Sequence, residues 1–177
     1  MSELPPSGQP ITKEYKNLEG IGGWLLLVAV GIVVTPFRML YEMYQNLQVF
    51  GADTWGMLTS PTSESYMPGF GIFVVVETVA NCLLLVAWLY VAVLFFSKRN
   101  SLPRWYIAVL ATNSVVVALD GFAYWHFFRE SSGYDLQPVL KDTVQILVAA
   151  LIWIPYMRVS DRVKATFVRP SKIDSPA

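Results

Sequence analysis

Over most of this chain the hydrophobic positions do not alternate with polar ones. They run together in four long blocks, roughly Gly20 to Tyr41, Phe70 to Phe96, Trp105 to Phe128 and Leu140 to Met157. A hydrocarbon core about 30 Å thick is crossed by about 20 helical residues at 1.5 Å each, so every block is long enough to span a membrane. The predicted fold class is all-α, a polytopic membrane protein built as an up-down bundle of four transmembrane helices. The link Ser97 to Arg104 is short, which makes the second and third spans antiparallel neighbours. Residues 1–19 read as a polar N-terminal tail, 20–157 as the membrane domain and 158–177 as a basic juxtamembrane segment. The first block exceeds a signal-peptide core and no Ala-x-Ala site follows it, so it is expected to be an uncleaved span.

Residues 42–69 form the one sizeable connection. Leu40, Met43, Tyr44, Leu47 and Phe50 recur at helical spacing, which extends the first helix beyond the membrane until Gly51 stops it. Asp53 is expected to cap a short turn through Trp55, and Pro61, Ser63, Ser65, Pro68 and Gly69 mark a loop. After the fourth block, Val159, Val163 and Phe167 leave one apolar face on a basic segment that is expected to lie along the inner leaflet. Arg158, Arg162, Lys164 and Arg169 would there meet anionic lipid, at about 1 kcal/mol per basic residue.

Charge sets the orientation, because positive residues are retained on the cytoplasmic side. Lys13, Lys16, Lys98, Arg99, Arg104, Arg158, Arg162, Lys164, Arg169 and Lys172 fall on one side, against Arg38, Arg129 and Lys141 on the other. Both termini are thus expected in the cytoplasm and the 42–69 loop outside. Trp24, Trp105, Tyr106 and Tyr156 fit an inner aromatic belt, and Tyr41, Tyr66 and Trp125 an outer one.

Polar residues within the spans fall on stripes, and in lipid such residues face the protein interior. Thr35, Arg38 and Glu42 follow Gly31 on the first span, with Pro36 expected to bend the helix beside them. Glu77 and Asn81 are four apart on the second, Asn113, Val117, Asp120 and Tyr124 align on the third, and Asp142, Gln145 and Ala149 on the fourth. Counting residues puts Glu77 about 10 Å and Asp120 about 12 Å below the outer boundary, and Arg38 about 5 Å below it. The expected object is an outward-facing polar site of Arg38, Glu77, Asn81, Asp120 and Gln145, with Arg38 reaching toward the two acids and the Trp55 loop as a cover and recognition element. Two carboxylates and one arginine in a low dielectric are not all expected to carry charge, which makes the acids candidate proton carriers. The alternative is a buried ion pair with bonded amides that fixes helix register.

Composition narrows the function. Of 177 residues, 54% are apolar and 15% charged, and 13 basic residues balance 13 acidic ones, so no nucleic-acid partner is expected. One cysteine, Cys82, and one histidine, His126, supply no disulfide framework and no metal set, and no cofactor is expected. Motifs for zinc proteases, serine hydrolases, P-loops and dinucleotide folds are absent, so the chain is not expected to be an enzyme.

Five segments carry a family likeness: Ile21-Gly22-Gly23-Trp24-Leu25, Pro36 with Arg38, Glu77 and Asn81, Pro103-x-Trp105-Tyr106, Ile152-Trp153-x-Pro155-Tyr156, and Ser160-x-Arg162-Val163-Lys164-x-Thr166-Phe167-Val168. From about Gly20 to Val168 the chain resembles a bacterial four-span inner-membrane family known as domain of unknown function 2569. The resemblance implies location and architecture, and no activity. The expectation is therefore a small non-enzymatic inner-membrane module, an accessory subunit or a binder of lipid or a small ligand, with membrane lipids, another membrane protein or a second copy as partners. The alternative is a small transporter or channel component that uses Glu77 or Asp120 as a proton or cation site.

Overall fold

The computed structural model describes residues 20–130 and 135–167. Four long helices form the bundle: α1 (Trp24–Asn46), α3 (Phe70–Phe96), α4 (Leu102–Phe128) and α5 (Gln137–Val159). Two short helices join them, α2 (Ala52–Thr59) after a 3-10 turn at Leu47–Phe50, and α6 (Asp161–Phe167) at the far end. No strand occurs among the described residues. Each long helix is long and apolar enough to cross a membrane. Their outer faces carry Leu26, Phe37, Ile72, Leu83, Phe122 and Leu151, all exposed, an unfavourable surface in water and an ordinary one against acyl chains.

Helix ends follow from local chemistry. Pro103 and Pro138 sit in the first turns of α4 and α5, where a missing N–H costs nothing. That is why α4 begins at Leu102, ahead of the apolar block. Gly69 adopts φ 82°, a left-handed conformation that lets the chain turn into α3. α1 runs on through Pro36, beside which the Thr35 hydroxyl donates to the Gly31 carbonyl at 2.8 Å. Gly51 ends the first helical run in an extended conformation, and Asp53 lies in the first turn of α2, which has no side-chain cap.

α1 packs on α3, α3 on α4 and α4 on α5, while α1 and α5 make little contact along their lengths. The α4–α5 contact depends on Gly121, where an added Cβ would come within 3.0 Å of Val139 Cγ1. Gly121→Leu is expected to lose about 1–3 kcal/mol to overpacking, read as a lower melting temperature in lipid nanodiscs.

Burial is uneven along the bundle axis. At the end that bears the termini, Leu25, Val28, Ile32, Val91, Phe95 and Leu102 are packed without exposure to speak of. α6 completes this half: Val163 and Phe167 are buried in it, and Phe167 lies 5.5 Å from the Phe95 ring. Of the apolar face of α6, Val163 and Phe167 turn onto the bundle core, because they find close apolar partners in Phe95 and its neighbours; Val159, 68% exposed, faces outward. The cap is held on the N-terminal glycines. Thr166 Oγ1 accepts from the Gly20 N–H at 3.2 Å, and the Arg162 guanidinium lies over Gly22 and Gly23, 3.0 Å from where a Gly22 Cβ would stand.

Candidate functional site

Toward the loop-bearing end the packed core gives out and a cavity of about 490 Å³ opens among the four long helices. Gly31, Thr35, Arg38 and Glu42 line it from α1, and Glu77 and Asn81 from α3. Asn113, Val117 and Asp120 line it from α4, and Asp142, Gln145 and Ala149 from α5. All five residues expected at the site, Arg38, Glu77, Asn81, Asp120 and Gln145, thus share one cavity. The polar stripes meet because Phe70 packs edge-on to Phe127 and Phe128 at 5.5 and 5.9 Å, which fixes α3 against α4 one to two turns above Glu77 and Asp120.

Arg38 does not reach toward Glu77 and Asp120. Its Nε donates to Glu42 Oε1 at 2.6 Å and its Nη2 to Asp142 Oδ1 at 2.9 Å. The physical reason is proximity: Glu42 is one turn up the same helix, and Asp142 stands across the open α1–α5 seam. α1 also extends five residues past the expected boundary, which places Arg38 about 12 Å from its end, level with Glu77 and Asp120. The Arg38 and Asp142 side chains are 46% and 49% exposed at the cavity mouth, where water entering the cavity screens the link. A double-mutant cycle on Arg38→Ala and Asp142→Ala is expected to give a coupling below about 1 kcal/mol, and the single Arg38→Ala protein is expected to fold.

Deeper in the cavity the polar side chains have nothing to bond to. Among the described residues Glu77, Asn81, Asn113, Asp120 and Gln145 make no side-chain hydrogen bond and no ion pair. A register-fixing network would join such groups to each other, as Arg38 joins Glu42 and Asp142. Here they face open volume.

The floor is aromatic. Trp88 and Tyr106 meet edge to face at 5.8 Å, with Trp153 beside them on the lining. Trp88 is 3% exposed and its buried Nε1–H has no acceptor; Tyr106 is 5% exposed and its hydroxyl has no protein partner. Tyr106 is thus part of the cavity and core, not of an interfacial belt. Glu42, Asp142, Asn113 and these aromatics are site residues that the stripe reading left out of its core set. Glu42, Asp142 and Asn113 lie on the stripes, but Trp88 and Trp153 carry no signal apart from apolar neighbours.

Trp55 does not cover the cavity. It stacks on Phe50 at 5.2 Å and packs over Gly71, at the side of the first turn of α3, because Gly71 leaves room there for the ring. No residue of 51–69 lines the cavity. Of the basic residues proposed for lipid contact, Arg158 and Lys164 are exposed, Lys164 lying 3.5 Å from Asp161, and Arg162 is engaged over the N-terminal glycines. Arg169 lies outside the described residues. No cluster of three or more His, Cys, Asp or Glu suited to a metal ion occurs among the described residues.

Apolar outer walls, a core packed in one half and a polar hollow in the other define a multi-pass membrane protein with an internal cavity. The chain belongs to the family described as protein of unknown function (DUF2569), whose model matches residues 18–168. It is 30% identical over 154 residues to the inner membrane protein YdgK of Escherichia coli K12, covering 85% of this chain and 94% of that one. No solved structure matches it.

Proposed function

We propose that this protein is a non-enzymatic binding module of the inner membrane, whose cavity holds a small or lipid-like ligand. The observation that carries the reading is the set of five polar side chains without partners inside about 490 Å³, a size ordinary for small-molecule sites. The excess of basic residues near the termini supports an orientation with the loop-bearing end, and with it the cavity mouth, on the outer side. The seam between α1 and α5, closed near the mouth only by the Arg38–Asp142 pair, gives a side entrance from the bilayer. The non-enzymatic reading is supported by the lining itself, since its one hydroxyl from Ser or Thr, on Thr35, is spent on the Gly31 carbonyl. Arg158 and Lys164 are positioned to add contact with anionic lipid.

Native mass spectrometry of the protein drawn from its own membranes in nanodiscs tests the proposal. A lipid or small molecule retained at stoichiometric ratio supports it, and its loss in Gln145→Trp would place that ligand in the cavity. A bare chain, or one that holds only a second polypeptide, would end the ligand reading and make this an accessory subunit. One observation favours a second reading, a proton- or cation-coupled pathway: Glu77 and Asp120 both face the cavity without a cation. Flux in proteoliposomes that disappears in Glu77→Gln would establish that pathway. The packed half below Trp88 weighs against it, because a conducting route would have to breach Val91, Phe95 and Leu102.

A further inference from the structure

The formal charges on the cavity wall do not balance. Among the described residues Arg38 is the one cation that lines it, and Glu42 and Asp142 already hold that guanidinium at 2.6 and 2.9 Å. Glu77 and Asp120 remain, one turn or two below the mouth, close enough to each other to interact and without any positive partner. A metal ion does not suit them: no third carboxylate or imidazole joins the pair, and the volume is far larger than a bare ion fills. Below them the walls become mixed and then aromatic. The floor holds Trp88, whose buried indole N–H has no partner, and the largely buried Tyr106, whose hydroxyl makes no hydrogen bond among the described residues. Eleven residues of α3 separate Glu77 from Trp88, an axial reach of about 16 Å.

Resting on the binding reading above, we propose that the ligand is an organic ammonium with an apolar or aromatic body. Its cationic head sits between Glu77 and Asp120. Its body extends toward the aromatic floor of Trp88, Tyr106 and Trp153. An anionic headgroup would meet two acidic side chains, whereas with a neutral ligand the acids would shed their charge only by binding protons.

The test uses three phenyl probes that differ in the charge of the head group: benzyltrimethylammonium, its uncharged isostere neopentylbenzene, and anionic benzenesulfonate. Each is titrated calorimetrically into the full-length protein in zwitterionic nanodiscs, with empty nanodiscs subtracted. The expected result is saturable one-to-one binding of the ammonium alone. Glu77→Gln and Asp120→Asn are each expected to weaken it by roughly tenfold, the size of losing one charge-assisted contact. Gln145→Lys, at an exposed position on the same wall, supplies a tethered ammonium and is expected to abolish binding; it keeps the proposal testable should a carboxylate variant fail to fold. Equal binding of neopentylbenzene or benzenesulfonate would overturn the cationic assignment while leaving a ligand site in place. Absence of any saturable binding, with a ligand still retained in native mass spectrometry, would also overturn it and leave the broader reading standing.

Discussion

Phe167→Ala is expected to destabilise the protein by about 3–5 kcal/mol, the range for removing a buried aromatic ring. Phe167 is 1% exposed, touches Phe95, and belongs to a seven-residue helix whose attachment rests on Val163, Thr166 and itself. Such a short helix has no stability of its own in water or at an interface, so losing its largest side chain should release the whole cap. The measurement is a thermal melt in nanodiscs followed by protease accessibility of residues near Arg158. A drop of less than about 1 kcal/mol, the scale of a surface substitution, would show that α6 is not bound to the core in the membrane.

Ala149→Trp is the second change with a large expected effect, and its direction is unusual. Ala149 lines the cavity about halfway down α5, so an indole there has empty volume to occupy. In a filled interior this substitution would cost about 1–3 kcal/mol through overpacking. Here the melting temperature is expected to hold or rise, while any ligand retained by the wild-type chain is lost. A substantial fall in stability would mean that the helices close on each other in the bilayer and that the hollow is not kept there.

Much of this architecture is legible from periodicity. The block Phe70 to Phe96 is also the helix, and the stripes through Arg38, Glu77, Asp120 and Gln145 do converge on one cavity. What periodicity supplies is the face of each helix. It does not supply the rotation of one helix about another, and the partner of Arg38 depends on that rotation. Glu42 was readable as a neighbour at i+4, whereas Asp142 is brought to Arg38 only by how α5 stands across the seam. α6 shows the same limit. Val163 and Phe167 make one apolar edge whether they face lipid or Phe95, and the choice was settled by a space at the termini-bearing end that no local pattern encodes. Trp55 was misplaced for a related reason: a tryptophan in a loop marks something to be covered, and Gly71 and Phe50 were nearer than the cavity mouth.

The clamp between Thr166 and Gly20 joins positions 146 residues apart in the chain. Closing so long a loop costs only modestly more than closing a short one, because the entropy grows with the logarithm of length. Timing is affected more than energy. Phe167 lies only eight residues beyond the end of α5, a stretch that leaves the ribosome together with that helix, so the Phe95 half of the bundle is sealed only after all four spans have been made, by the last of the described helices to emerge. A product released before Phe167 would carry an exposed Phe95 as the mark of its truncation.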